Sequence, residues 1–262
     1  MNKEIDNVHY TAIADTDIGI IKQTNQDSIL IKHGRYKDKE ILMTIVCDGM
    51  GGLDKGEVAS ATVVKAFSRW FDEELPYELE HEYPNMKIIG AKWELFLKEL
   101  NVNIRQYSRT IKITMGTTFT GVLFVNDQFM VAHVGDTRLY KIDQTLKQLT
   151  EDHTFIAREL KAGRMTEAQA RNDKRRNMLL QCIGASDKVT PQVFCGAVTK
   201  GAYMICSDGF RHEISNQEIY ESLNPVNLLN KDSMHSNIRY LIEQVKRRNE
   251  RDNISVILIK AE

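Results

Sequence analysis

The stretch Ile41-Leu42-Met43-Thr44-Ile45-Val46-Cys47-Asp48-Gly49-Met50-Gly51-Gly52 joins a hydrophobic run to an acidic, glycine-rich end. Residues 41–47 are apolar apart from one threonine, which is typical of a strand buried on both faces. The glycines after Asp48 let the backbone approach an ion or a phosphate closely. Asp-Gly alone is most often a turn. The meaning of Asp48 therefore depends on whether the pattern recurs.

The pattern recurs three times in distant parts of the chain. Asp136 follows the apolar run 129–134, Asp208 follows 203–206, and Asp252 precedes 254–259. Each has a simpler interpretation: Asp136 could form a hairpin turn, Asp208 an Asp-Gly turn, and Asp252 a pair with Arg251. Together, carboxylates at strand ends are what a cluster of hard divalent cations needs, because such ions take oxygen ligands.

The order of strand and helix patterns predicts the fold class. Apolar stripes at helical spacing occur within 59–71, 93–107 and 238–245, and a helix is predicted over 154–162. Strands buried on both faces imply two packed sheets, with helices covering the outer faces. We therefore predict an α+β fold in four α-β-β-α layers with two central, mainly antiparallel sheets. The predicted strands are 8–15, 28–32, 41–47, 118–125, 129–134, 138–142, 203–206 and 254–259.

Three segments between these elements carry their own predictions. Asn126-Asp127 is predicted to be a hairpin turn. The acidic residues 72–84 are predicted to form a surface loop. Residues 152–193 interrupt the strand pattern for a long way, and excursions of this length in a compact domain tend to be functional.

Composition bounds the domain count and the partners. The 262 residues include 4 prolines and no low-complexity linker, so we expect one domain over 1–262. The formal net charge of −1 gives no support for binding nucleic acid or a membrane surface.

No apolar run approaches the ~20 residues that span a bilayer, and the polar N-terminus does not look like a signal peptide. We expect a cytoplasmic protein. The 4 cysteines form no Cys-x-x-Cys pair, so zinc binding has no support.

Further short motifs complete a resemblance to a known family. They are Gly-x-x-Lys-x-x-Asn-Gln-Asp at 19–27, Gly-Thr-Thr at 116–118, Glu-Asp-His at 151–153, Arg-Asn at 176–177 and Ile-Gly at 183–184. With the four aspartate motifs, the chain resembles, nearly end to end, the bacterial PPM (PP2C-like) metal-dependent protein serine/threonine phosphatases. That family has an α-β-β-α sandwich fold, in agreement with the layers predicted above.

The resemblance implies a site for Mn²⁺ or Mg²⁺ with two tight positions. Asp48 would bridge the two ions, and Gly49 would contribute its carbonyl group to one of them. Asp208 and Asp252 would complete the other, while Asp136, with Asp208, would hold a weaker third ion. Asp27 would bind an ion or orient its waters.

The resemblance also implies the mechanism, with Asp27, Asp48 and Asp208 as catalytic residues. A water shared by two ions would attack phosphorus in line, without a phosphoenzyme, so Cys47 and Cys206 would not act as nucleophiles. The segment 152–193 would contain the family's mobile, substrate-facing flap.

Two positions depart from the family pattern. Lys22 stands where the family usually has a phosphate-binding arginine, and lysine is a point charge rather than a bidentate donor. We predict weaker phosphate binding. Met50 stands where eukaryotic members often have a histidine that can act as general acid. His153 is a candidate replacement, and a structural role is the alternative.

The expected substrates are phosphoserine and phosphothreonine proteins, including a cognate serine/threonine kinase and its targets, and we expect a monomer. One alternative is a pseudophosphatase that binds phosphoproteins as a regulatory module, for which Lys22 is the sequence support. The other is a phosphohydrolase of small phosphoesters, although no aromatic–basic pattern for base stacking is present.

Overall fold

A computed structural model of the chain describes residues 8–50, 55–80 and 84–262. Gly51 and Gly52 of the opening motif, and 81–83 of the predicted acidic loop, lie outside the described residues. All strand pairings within the two five-stranded sheets are antiparallel. The first sheet has the order β1 (Tyr10–Asp17), β10 (Ile254–Ala261), β9 (Gly201–Cys206), β6 (Arg138–Ile142) and β7 (Leu146–Gln148).

The second sheet places the opening strand near its centre. Its order is β2 (Ser28–Tyr36), β3 (Lys39–Cys47), β4 (Phe119–Val125), β5 (Gln128–Val134) and β8 (Gln192–Ala197). Every residue of β3 is buried, as its apolar run predicts. The predicted hairpin turn Asn126-Asp127 joins β4 to β5, with Asn126 in the left-handed region at φ 49°. Asparagine tolerates this conformation better than most residues.

Helices cover the outer face of each sheet. The described helices are α1 (Gly56–Glu73), α2 (Leu75–Glu78), α3 (Met86–Ile111), α4 (Phe155–Lys161), α5 (Glu167–Asn172), α6 (Asp208–Arg211), α7 (Asn216–Leu223) and α8 (Lys231–Arg247), with a 3₁₀ turn at Pro225–Asn227. The side chain of Asn85 caps α3, and a capping box at Asn230 begins α8. Among the described helices, none is both long and apolar enough to cross a bilayer.

Three hydrophobic clusters correspond to the three interfaces between layers. Helices α1 and α3 pack on the second sheet, where the rings of Phe67 and Trp93 lie 4.7 Å apart. Helices α7 and α8 pack on the first sheet. Between the sheets, the Phe124 ring of β4 meets the Tyr203 ring of β9 at 5.3 Å. The predicted four-layer arrangement is therefore confirmed.

Two local predictions are wrong. The segment 72–84 is not simply a loop: α1 continues to Glu73, and α2 follows at once. Leu75 and Leu79, each 1% exposed, bury one side of this acidic turn, which its charge conceals in the sequence. Helix α5, within the segment 152–193, was not predicted.

The turn holding Asp136 is not a hairpin. Strand β5 belongs to the second sheet and β6 to the first, so residues 135–137 cross between the sheets. Gly135 takes φ 110°, and a Cβ there would lie 2.6 Å from the Thr118 side chain. Strands β7 and β8 were not predicted, because β7 has three residues, two of them polar, and no residue of the six in β8 is fully buried.

Candidate active site

The four aspartates predicted from strand ends line one cavity of about 430 Å³. Asp48 follows β3, and Asp208 follows β9 as the first residue of α6. Asp136 lies on the crossing between the sheets, and Asp252 precedes β10. Met50 and Thr118 also line this cavity. The two-sheet packing thus gathers carboxylates that are far apart in sequence at one edge of the sandwich.

The backbone of Asp48 is held by the Gly-Thr-Thr motif. Its amide donates to Thr118 Oγ1 at 2.9 Å. Its carbonyl oxygen accepts from the Thr118 amide at 2.8 Å and from Thr117 Oγ1 at 3.0 Å. Gly49 fits closely beside it, because a Cβ there would lie 2.5 Å from the carbonyl oxygen of Gln26. These threonines, to which the sequence assigned no role, fix the position of Asp48.

Asp27 lies at the start of β2 with both carboxylate oxygens buried. Neither oxygen makes a well-formed hydrogen bond to any residue in the described part of the chain. Burial raises the pKa of Asp27 to about 7, the Ser255 and Ser207 hydroxyl groups nearby lower it in part, and Asp208 raises it further. A buried carboxyl group in this state is short of a positive partner.

Asp48, Asp208 and Asp136 share this electrostatic condition. Burial raises the pKa of Asp48 well above its ordinary range, and Asp27 and Asp208 add to the shift. Burial likewise raises the pKa of Asp208, while the Arg211 guanidinium opposes the shift. The pKa of Asp136 rises to about 7 through burial and the nearby Asp208. The site is a cluster of mutually repelling carboxyl groups.

Asp252 differs from the other three because a lysine neutralises it. Lys22 Nζ lies 2.7 Å from Asp252 Oδ1. Burial alone would lower the pKa of Lys22, but the hydrogen bond and charge of Asp252 raise it overall. Asn253 holds the loop that carries Lys22: its Nδ2 donates to the carbonyl groups of Ile18 and Thr24, and its Oδ1 accepts from the Gln26 amide. The structure therefore brings predicted residues Lys22 and Asp252 together.

Comparison with known proteins identifies the family. The family model described as protein phosphatase 2C matches residues 21–253. The chain belongs to the protein phosphatase 2C family. It is 30% identical to the serine/threonine phosphatase stp of Listeria monocytogenes, over 94% of this chain and 93% of that protein. The predicted family and its phosphatase class are confirmed.

Solved structures agree with this assignment. A serine/threonine phosphatase of S. agalactiae superposes with a TM-score of 0.82 at 28% identity, covering 97% of this chain and 100% of that one. The catalytic domain of the serine/threonine protein phosphatase PstP, in complex with 2 manganese ions, gives a TM-score of 0.76 at 25% identity. That match covers 97% of this chain and 99% of the other. The fold is thus shared over 97% of this chain.

The segment 152–193 forms walls of the phosphatase site. A second cavity of about 750 Å³ adjoins the first and shares Asp136, Asn177 and Asp252 with it. Its other walls include Lys22, Arg211 and residues of α4. The base of the segment is closed by the Phe155 amide donating to the Met178 carbonyl and the Leu180 amide donating to the His153 carbonyl. The segment thus faces the site.

His153 makes structural contacts with Gly135 and His133. Its Nδ1 accepts a hydrogen bond from the Gly135 amide at 3.1 Å, and its ring lies 4.8 Å from that of His133. It does not line the cavity of the four aspartates. His212, which sequence reasoning passed over, lies nearer, with Nε2 at 3.5 Å from Asp208 Oδ2. Only its place four residues after an already suspected aspartate could have indicated it.

The donor set fits hard divalent cations. The buried oxygens of Asp27 and Oδ1 of Asp208 find no hydrogen-bond partner among the described residues, and carboxylate oxygens are the ligands that Mg²⁺ and Mn²⁺ prefer. Within the described ranges, no group of three or more His, Cys, Asp or Glu side chains is already arranged to hold a metal ion. In this structure the carboxylate of Asp252 pairs with the ammonium group of Lys22.

Proposed function

We propose that this phosphatase hydrolyses phosphoserine and phosphothreonine esters in proteins with the help of divalent cations. One observation carries the proposal: four aspartates from separate strand ends line one cavity beside the unpartnered carboxyl group of Asp27. Buried carboxyl groups that repel one another are costly unless cations join them. A stable fold therefore has little reason to gather them other than to bind ions.

The residues that would hold two ions are Asp48, the Gly49 carbonyl group, Asp208 and Asp252. Asp136, with Asp208, marks the position at which a third ion would bind, more weakly than the other two, and Asp27 would bind an ion or orient its waters. When bound, Mn²⁺ or Mg²⁺ would lower the pKa of a water and offset charge on the phosphoryl oxygens. The bound manganese of the PstP catalytic domain supports this choice of metals.

The chain's own residues would position the substrate. Lys22 lies on the wall of the larger cavity with its ammonium group at Asp252, and it would attract the phosphoryl group as a point charge. Cys47 and Cys206 are buried, and burial raises the pKa of both thiols. Neither thiol is therefore available as a nucleophile, so attack by water fits better than a phosphocysteine.

The partners follow from this function. We infer that the substrates include a cognate serine/threonine kinase and its targets. The monomeric state and the cytoplasmic location stay predictions.

The test is hydrolysis of a phosphothreonine peptide with Mn²⁺, with Mg²⁺ and with EDTA. We expect turnover that either cation restores after EDTA removes it, and loss of on the order of 10²-fold or more in Asp208→Asn, because that variant loses a metal ligand. Asp127→Asn, an exposed aspartate on the β4–β5 turn, is the matched control and should keep full activity.

Two outcomes would favour the alternatives. A folded protein that binds Mn²⁺ and a phosphoprotein without turnover would indicate a pseudophosphatase. Faster turnover of nucleotides or sugar phosphates than of phosphopeptides would indicate a phosphohydrolase of small phosphoesters.

A further inference from the structure

Arg211 lies three residues after Asp208, at the end of α6, and its side chain reaches Asp136. Its Nη2 donates to the Asp136 carbonyl oxygen at 3.2 Å and lies 3.8 Å from Asp136 Oδ2. The side chain is only 13% exposed, so water weakens this charge contact little. Arg211 therefore places a fixed positive charge beside one of the four site aspartates.

The other acidic neighbour of Arg211 already has its own partner. Asp152 Oδ2 lies 3.8 Å from Arg211 Nη2, but it accepts from Arg138 Nη2 at 2.7 Å, and Arg138 Nε donates to Oδ1 at 2.8 Å. Gln148 Nε2 donates to the same carboxylate at 3.0 Å. Because these groups satisfy Asp152, the charge of Arg211 is left to act on the site carboxyl groups: Asp136, which it contacts, and Asp208, whose pKa it lowers.

We propose that Arg211 supplies the positive charge at Asp136 that a third divalent cation would otherwise bring. This inference rests on the proposed function. The phosphatase would then hold two ions through its other ligands and resist a third, since a dication at Asp136 would lie beside a buried guanidinium group. Removing the guanidinium group should strengthen binding of the third ion on the order of tenfold or more.

The experiment counts bound Mn²⁺ by equilibrium dialysis of the full chain, with metal analysis of the protein compartment. Wild type, Arg211→Ala, Arg211→Lys and Asp136→Asn are compared with the double variant that joins Arg211→Ala to Asp136→Asn. We expect two ions in the wild type and a third in Arg211→Ala at the same free Mn²⁺. The double variant should return to two, and Arg211→Lys should resemble the wild type.

Asp136→Asn alone keeps the inference testable should Arg211→Ala fail to fold. If Asp136 binds no ion in the wild type, the near-isosteric Asp136→Asn should still bind two. Loss of one ion in Asp136→Asn, or three ions in the wild type, would overturn the inference and leave the proposed function standing. A folded Arg211→Ala that binds no additional ion would overturn it as well. A wild-type protein that binds no Mn²⁺ would overturn the proposed function together with this inference.

Discussion

Lys22 sets how strongly the site can hold a phosphoryl group. Its ammonium group lies 2.7 Å from Asp252, on the wall of the larger cavity. An arginine at this position could pair with Asp252 and still present a second N–H to phosphate, which lysine cannot do bidentately. We predict that Lys22→Arg lowers KM for a phosphothreonine peptide about 3- to 10-fold, or ~1 kcal/mol, in steady-state kinetics.

Lys22→Met separates charge from geometry in this prediction. It keeps the length of the side chain but loses the charge, so KM should rise in this variant. An unchanged KM in Lys22→Arg would mean that residue 22 acts on Asp252 alone and does not touch the substrate.

We expect the carboxyl group of Asp27 to lower the thermal stability of the metal-free protein. Its buried carboxyl oxygens find no partner in the described part of the chain, and Asp208 lies close enough to repel it. Asp27→Asn removes this charge and adds an amide donor for the neighbouring carboxylates. We expect the metal-free variant to melt higher than the wild type, by roughly 2–4 °C for each kcal/mol gained, in calorimetry with EDTA.

The same substitution should reduce the gain in melting temperature on adding Mn²⁺, because an oxygen that binds or orients water is lost. Asp127→Asn is again the control and should change neither value. A lower melting temperature of metal-free Asp27→Asn would instead make the carboxyl group a structural acceptor for the Ser207 and Ser255 hydroxyl groups.

At the scale of elements, one ion pair joins β6 to the beginning of the segment 152–193. Arg138 Nε and Nη2 grip the Asp152 carboxylate, which is 9% exposed. Removing Arg138 leaves the buried Asp152 charge with only the Gln148 amide and the more distant Arg211 guanidinium, 3.8 Å away. We predict that Arg138→Met lowers the free energy of unfolding by ~3–5 kcal/mol in urea denaturation. Adding Asp152→Asn should recover part of this loss.

An exposed ion pair is the comparison for Arg138. Arg69, 73% exposed, lies 3.5 Å from Glu73, and Arg69→Met should cost less than ~1 kcal/mol. If the two Arg138 and Asp152 substitutions are additive, the pair does not stabilise this junction.

The elements predicted from the sequence are those with continuous apolar patterns. Strand β3 is buried at every residue, so its run of hydrophobic side chains indicated its position directly. Strand β8 alternates partly exposed residues at a sheet edge, and α2 is buried through two leucines among acidic residues. The contact that decides β8 comes from β5, about 60 residues earlier in the sequence.

The site likewise contains residues that the sequence predicts and contacts that it does not. The four aspartates were predictable because each stands at the end of an apolar run. The contacts of Arg211 with Asp136, and of Thr117 and Thr118 with Asp48, join residues about 70 positions apart. No local spacing indicates such pairs, since the packing of the two sheets creates them.

At the scale of the molecule, the side chain of Glu40 forms a hydrogen bond that connects the two sheets. From β3 of the second sheet, it accepts a hydrogen bond from the Tyr10 amide of β1 in the first sheet at 3.0 Å. His33 Nε2 and His9 Nδ1 lie 2.9 and 3.2 Å from its oxygens. Burial alone would raise the pKa of Glu40, but these hydrogen bonds lower it below 4.5 overall.

We predict that Glu40→Gln lowers the free energy of unfolding by ~1.5–3 kcal/mol at pH 7, because hydrogen bonds to a charged group are lost. Since the folded pKa is lowered, the advantage of the wild type is present above the unfolded value near 4.5. It is lost as the pH falls through the folded pKa. Urea denaturation at pH 7 and well below pH 4 checks this.

The exposed Glu80 provides the control, and Glu80→Gln should match the wild type at both pH values. An equal deficit of Glu40→Gln at pH 7 and well below pH 4 would mean that the shape of the side chain, rather than its charge, joins the sheets.

The pairing of β1 with β10 has a consequence for how the chain acquires its function. Tyr10 is paired with Ala261, so the first strand cannot enter its sheet until the last has left the ribosome. Contacts this distant in sequence slow folding. Asp252 and β10 arrive together, so a nascent chain that has already made Asp48 and Asp208 still has no complete site. Under the proposed function, partly synthesised copies would therefore have no phosphatase activity, and β1 would wait without its partner strand until synthesis is complete.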